Sequence, residues 1–293
     1  MESARYLLIG NRTYTWRRMR ELGLTVEVAA AEGSYLERAL SAEEVPYQPF
    51  RSKRQLMDLI TRSDCDVVVS NGCPYILPVT RLQETCAHRI FVNLHPSHLP
   101  DLKGPHPING ALLYGRDCGA SCHLMDDGVD TGPVIARIRI SYSPDLEAPL
   151  LYQLCFRAEA DAFELAMRRA FEPLDPDQVV PDPPYLPLVY YVATEEDQCI
   201  DFREDSEAIY RRIRAFSTPN RPAFFEANGH RFTVRDVEWV ENSYLRSKRD
   251  QYADRSVVLV YEDRVLVRIG DTYLKLKSVE GPLEALPEGL PLL

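Results

Sequence analysis

Short apolar runs of strand length take turns with longer amphipathic runs through residues 1–172, and few folds tolerate that rhythm. Tyr6–Ile9, Thr25–Ala30, Asp66–Ser70, Arg89–Leu94, Ala120–Met125 and Val134–Ile140 read as strands. Tyr14–Leu22, Lys53–Arg62, Val79–Thr85 and Pro107–Tyr114 read as helices between them. The pattern predicts an α/β domain: a parallel or mixed sheet with helices on both faces. A longer helix closes it over Pro149–Phe171, where Leu150, Leu151, Leu154, Cys155, Ala158, Ala162, Leu165 and Ala166 recur at helical spacing.

Composition changes after residue 172. Pro173, Pro176, Pro181, Pro183, Pro184 and Pro187 remove backbone donors and stiffen the chain, so 173–190 reads as a linker laid over a surface. A small, mostly β domain is expected over 191–281, with a helix at Ser206–Phe216 and strands at Phe224–Ala227, His230–Val240, Ser256–Tyr261, Arg264–Ile269 and Tyr273–Val279. Its aromatic residues Tyr210, Phe216, Phe224, Phe225 and Trp239 are assigned to its core, and 282–293 reads as a tail.

Charge and cysteine usage narrow the class of function. Lys and Arg number 34 against 44 Asp and Glu, a net charge of −10. A chain that grips phosphate backbones is usually basic, so nucleic acid is an unlikely partner. The seven cysteines (Cys65, Cys73, Cys86, Cys118, Cys122, Cys155 and Cys199) are odd in number and scattered among apolar neighbours, which suits reduced thiols in the cytoplasm rather than a disulfide framework or a zinc site. No apolar run reaches the ~20 residues of a membrane span, and none opens the chain as a signal peptide would, so no membrane partner is expected.

The chemistry concentrates in Phe91–Gly132. Asn93 and His95 are two apart on a strand that Pro96 must stop, so their side chains share a face at its end, where ligands collect in open α/β sheets. Asp130, in the glycine-flanked turn after the strand Ala120–Met125, is positioned to aim a carboxylate at the imidazole. Taken singly, such fragments are ordinary capping and turn chemistry. Together, Asn93-Leu94-His95-Pro96-Ser97-His98-Leu99-Pro100 followed by Asp126-Asp127-Gly128-Val129-Asp130-Thr131-Gly132 is a specific combination, and it resembles the folate-dependent formyltransferase family.

That resemblance implies a Rossmann-like doubly wound sheet and a catalytic set of Asn93, His95 and Asp130. It also implies 10-formyltetrahydrofolate as cosubstrate, with no metal. Carried over residue by residue, it gives the folate pocket to Tyr75, Ile76 and Leu77 on one side and Met125, Asp126, Asp127, Gly128 and Val129 on the other. Ser97, His98, Lys103 and Gly104 fall to the acceptor side, while His106 and His123 are given structural roles. Ile200-Asp201-Phe202 and Thr218-Pro219-Asn220-Arg221-Pro222 are similar to the opening of the small domain of tRNA and amino-sugar formyltransferases. The expected acceptor is a small-molecule amine, a nucleotide-linked amino sugar, with methionyl-tRNA and hydroxyornithine of siderophore synthesis as alternatives. A homodimer is expected. The residue types also suit the reaction independently of kinship: an amide N–H and an imidazolium can stabilise an oxyanion, and histidine can take a proton from an attacking amine near neutrality.

Overall fold

The computed structural model describes residues 4–181 and 187–293; Pro183 and Pro184 of the expected linker lie outside them. The first part of the chain runs β1 (Arg5–Gly10), α1 (Tyr14–Glu21), β2 (Thr25–Ala31), α2 (Tyr35–Ala42), β3 (Gln48–Phe50), α3 (Lys53–Arg62), β4 (Val67–Asn71), α4 (Val79–Thr85), β5 (Ile90–His95), α5 (Pro107–Tyr114), β6 (Cys118–Leu124), β7 (Val134–Ile140) and α6 (Ala148–Arg168). The sheet order is β3-β2-β1-β4-β5-β6-β7. Strands β1 to β5 are mutually parallel, while β6 runs antiparallel to both β5 and β7.

Alternation along the strands builds two cores. Tyr6 and Leu8 of β1, and Val67 and Val69 of β4, face one side, where Trp16 and Met19 of α1, Leu36 and Leu40 of α2, and Phe163 of α6 cover them. Leu7, Ile9 and Val68 face the other, under Leu56 and Ile60 of α3 and Val79 and Leu82 of α4. A strand buried on both faces reads as continuous apolar sequence, which is why β1 and β4 carry no polar alternation. Two elements escape the apolar rhythm. Helix α2 buries only Leu36 and Leu40 and owes its start to Ser34, whose side chain accepts from the Glu37 N–H. Strand β3 is three residues long and exists by pairing with Ala29–Ala31 of β2.

Contacts divide the chain into two units, one made of 1–107, 117–141 and 153–191, the other of 108–116, 142–152 and 192–293. A single cut at residue 172 misses the two internal segments that sort with the second unit. Within that unit lie α7 (Ser206–Ala215), β8 (Ser217–Thr218), β9 (Arg221–Ala227), β10 (His230–Val234), β11 (Asp236–Trp239), α8 (Ser243–Ser247), β12 (Ser256–Tyr261), β13 (Arg264–Ile269) and β14 (Thr272–Lys277). They form antiparallel sheets ordered β10-β9-β8 and β11-β14-β13-β12. The expected strand His230–Val240 is therefore two strands in different sheets, split at Arg235.

Trp239 is not core: it is 40% exposed at the end of an edge strand, with one ring face stacked on Tyr210 at 5.3 Å. The expected tail docks instead of trailing, with Val257 N–H donating to Leu290 O and Leu292 buried. The linker is likewise tied down at both ends, by Leu174 N–H to Val134 O and by a ladder of Lys103 with Val189 and Tyr191. Among the described residues no helix is long and apolar enough to cross a membrane.

Gly10 ends β1 at φ +143°, and a Cβ there would lie 2.1 Å from the Asn71 carbonyl oxygen at the end of β4. Gly10→Ala is expected to lower Tm by several degrees, since strain and a backbone clash coincide. A calorimetric Tm equal to that of the unmodified protein would contradict this close approach of β1 and β4.

Candidate active site

Phe91 of β5 is buried on the α3–α4 side of the sheet, and Asn93 and His95 follow it on the same face. The reversal at β6 supplies the next residue. In the antiparallel register Asn93 stands opposite His123, so the two side chains are cross-strand neighbours. Asn93 Nδ2 lies 3.1 Å from His123 Nε2 and 3.3 Å from Asp130 Oδ1. His123 Nδ1 donates to Leu124 O at 2.7 Å, which leaves the Nε2 lone pair of the neutral ring facing Asn93. The ring expected to be structural packs against the cluster, with both nitrogens engaged and Nε2 3.6 Å from Asp130.

The loop after β5 is folded so that one carbonyl meets His95. Ser121 of β6 accepts from Leu99 N–H and donates to Ser97 O, Ser97 donates to Asp101 O, and Arg137 of β7 donates to Leu99 O. These bonds hold Leu102, at φ +56°, with its carbonyl 2.9 Å from His95 Nε2. A carbonyl only accepts, so Nε2 carries the proton and Nδ1 of the neutral ring is a free lone pair. Nδ1 lies 3.4 Å from Asp130 Oδ1. The tautomer is therefore set by Leu102, and the carboxylate is left to meet a proton arriving on Nδ1.

Asp130 has a φ of +54°, a left-handed conformation that costs about 1–3 kcal/mol in a non-glycine residue and is concentrated at functional sites. Its Oδ2 accepts from Gly104 N–H at 3.0 Å. Glycine is required there: φ is +100°, and a Cβ would sit 2.8 Å from Tyr191 O. Burial pushes the Asp130 carboxyl upward, but the His123 and His95 rings and the Gly104 N–H outweigh it and hold it below the usual carboxylate range. Burial dominates at His95 and pulls it below the ordinary imidazole value, against the opposing pull of Asp130 and Leu102. The resting pair is a neutral imidazole beside an ionised carboxylate.

These groups border a cavity of about 460 Å³. Of the residues expected in the folate pocket, Tyr75, Ile76, Leu77, Met125, Asp126, Gly128 and Val129 line it, as does Gly104 from the acceptor side. Four expected residues do not. Ser97 is fully buried with its hydroxyl engaged in the loop, and Asp127 turns away to accept from Thr80 N–H at the start of α4. His98 lies outside the lining, and Lys103 contributes its backbone to the ladder with Val189 and Tyr191. Proximity in a motif does not fix the direction of a side chain, and hydrogen bonding decided it for Ser97 and Asp127.

A second polar group, absent from the sequence reading, sits behind the cavity. Glu159 of α6 is fully buried on the helix's apolar stripe and pairs with Arg12, which lines the cavity from the loop after β1. Asn71 Nδ2 donates to its other oxygen at 2.9 Å. Burial pushes the Glu159 carboxyl up to about 7, against the pull of Arg12 and Asn71. The one legible signal was a lone acid at i+4 from Cys155 within an apolar face.

Residues 16–167 match the family described as Formyl transferase, and 193–283 match Formyl transferase, C-terminal domain. The methionyl-tRNA formyltransferase of Thermus thermophilus is 35% identical over 142 residues, 48% of this chain and only 45% of that enzyme, so the chain spans less than half of this relative's length. The methionyl-tRNA formyltransferase of a Sulfurovum species is 30% identical over 226 residues, 76% of this chain and 70% of that one. Among solved structures, an N-formyltransferase from Helicobacter canadensis, in complex with folinic acid and dTDP-3-aminofucose, shares the fold with a TM-score of 0.68. The likeness covers 94% of this chain and 100% of that one at 14% identity.

Glu159 also implies a pH dependence of stability. Its folded value, about 7, lies above the unfolded one near 4.5, so its contribution is fully present below pH ~4.5 and is lost as pH rises through about 7. The loss amounts to roughly 3 kcal/mol for this group. Glu159→Gln is expected to flatten that slope in urea unfolding measured between pH 4.5 and 8. An unchanged slope would mean that Glu159 is ionised throughout.

Proposed function

Because this chain belongs to the formyl transferase family, we propose that it is an N-formyltransferase that moves the formyl group of 10-formyltetrahydrofolate to the amine of a nucleotide-linked amino sugar. The observation that carries the reaction is the meeting of Asn93, His95 and Asp130 in the wall of the cavity. The remaining walls fit a folate: Ile76, Leu77, Met125 and Val129 make an apolar slot, and the volume lies in the small-molecule range. The folate supplies an activated formyl carbon, whose bond to the folate nitrogen breaks as a bond to the acceptor nitrogen forms.

His95 Nδ1 receives the proton that the acceptor nitrogen sheds on attack, and the resulting imidazolium is stabilised by Asp130 at 3.4 Å. The same ring then returns the proton to the leaving nitrogen, so atoms and charge balance over the cycle. Asn93 Nδ2 offers an N–H to the oxygen that becomes negative. Its contact to Asp130, at 3.3 Å, is the longer of its two and the one most readily exchanged. Burial favours a neutral His95 at rest, which is the form that can accept a proton. The cysteine pattern and a folate cosubstrate suit a cytoplasmic enzyme.

A sugar acceptor is supported by the net charge of −10 and by the H. canadensis likeness, which spans nearly the whole of both chains. Transfer to methionyl-tRNA is the second reading, favoured by the names of the relatives found by sequence. Release of tetrahydrofolate from 10-formyltetrahydrofolate, followed by absorbance, separates them. Turnover with a dTDP-linked amino sugar and none with methionyl-tRNA is expected, and the reverse result would overturn the acceptor.

Asn93→Ala should lower kcat by about 10²–10³-fold and His95→Ala by about 10²–10⁴-fold, with folate affinity kept. The acid limb of kcat/KM should fall below pH ~6.5, in line with the lowered His95. Wild-type rates in either variant would dismiss these roles.

A further inference from the structure

Asp126 and Asp130 line the cavity together with His95, and Arg12 is the one lysine or arginine among the described residues that line it. A ligand with an amine at His95 and Asp130 therefore shares its cavity with one guanidinium. The Arg12 charge adds to the burial that pulls His95 below its ordinary value. The guanidinium is held by construction: it lies 4.2 Å over the Phe156 ring, pairs with Glu159 one turn further along α6, and is only 18% exposed. Gly72 keeps the space for it, since a Cβ there would fall 2.8 Å from Arg12 Nε and 2.2 Å from Asn11 Oδ1.

Glu159 balances this cation when no other anion does. Once a ligand's acidic group engages Arg12, the buried carboxylate shares its countercharge and the neutral acid becomes the better occupant. The neighbouring amide can serve either form. Asn71 donates Nδ2 to Glu159, while its buried Oδ1 has no hydrogen-bond partner among the described residues, so turning the amide over presents an acceptor to a carboxylic acid proton.

The titratable groups facing Glu159 are Arg12 from the loop after β1 and Cys155 one turn earlier on α6, whose thiol contacts Cys118 of β6 at 3.6 Å. Strand β4 contributes only the Asn71 amide. Cys155 is held well above its ordinary value by Cys118 and by burial, and stays neutral.

We infer that Arg12 and Glu159 form a proton-linked anion anchor: an acidic group of the formyl acceptor, a carboxylate or a phosphate, docks on the Arg12 guanidinium while Glu159 takes one proton from solvent. This rests on the formyl-transfer reading for the identity of the acceptor, with Arg12 as a specificity-determining residue and Glu159 as a positioning residue. It predicts that acceptors bearing an acidic group are preferred over the same amines without one.

The test is calorimetric titration of the full chain at pH 8 with dTDP, inorganic pyrophosphate and succinate, in HEPES and in Tris, whose different ionisation enthalpies report proton exchange. With Glu159 near 7, uptake of about 0.5–0.9 proton per bound anion is expected, falling to zero in Glu159→Gln, which should bind the anion about six- to elevenfold more tightly because no carboxylate has to be protonated first. Arg12→Gln should bind at least about tenfold more weakly, and the double variant Arg12→Gln/Glu159→Gln, which buries no lone charge, should show the same loss. No proton uptake with any of the three anions, uptake that survives Glu159→Gln, or full affinity in the double variant each overturns the anchor.

5-Formyltetrahydrofolate distinguishes the source of the anion. Its affinity should change less than about threefold in Arg12→Gln, and a tenfold loss would assign the anchor to the folate's own carboxylates, overturning the acceptor. A wild-type chain that binds the anions but not this folate counts against formyl transfer and not against the anchor.

Discussion

A buried carboxylate must be met by donors, and in this protein that demand at Asp130 determines how separate pieces of chain assemble. Its Oδ1 faces Asn93 and His95 of β5 and His123 of β6, while Oδ2 takes the Gly104 N–H from the loop that precedes α5. Removing one partner of such a group typically costs about 3–5 kcal/mol, enough to tolerate the left-handed backbone at Asp130 and at Leu102. Stability and chemistry draw here on the same contacts, because the donors that keep the carboxylate ionised also poise it beside the imidazole.

Two carboxylates serve one cavity with opposite electrostatic settings. Asp130 lies among rings and a backbone N–H and is held low. Glu159 lies on an apolar helix face with one guanidinium and one amide and is driven up to about 7. The residue types are nearly equivalent, so environment alone separates a permanent anion from a group that exchanges its proton near neutrality. The doubly wound sheet makes this possible by bringing the ends of β1, β4 and β5 to a common rim while α6 closes one face behind them.

Much of this architecture is legible in the chain. The apolar runs of β1 and β4 announce strands covered on both faces, and the two-residue spacing of Asn93 and His95 before Pro96 places their side chains together at a strand end. His123 was not legible as a neighbour of Asn93, because nothing local reveals that β6 runs backwards against β5. Glu159 hides in an apolar stripe, and its partner Arg12 is distant in sequence. Ser97 and Asp127 sit within the right motifs but point elsewhere, each satisfying a backbone group that periodicity does not register. Short elements such as β3 depend on tertiary pairing and leave almost no local trace.

The hydrogen bond from Thr80 N–H to Asp127 couples the cavity wall to helix α4. Asp127 belongs to the same tight loop as Met125, Val129 and Asp130, so that loop cannot swing outward without uncapping the helix. The Thr80 amide is thus a built-in gauge: the rate at which it trades its proton for deuterium counts the excursions of a wall 47 residues further along the chain, without a label on the loop itself.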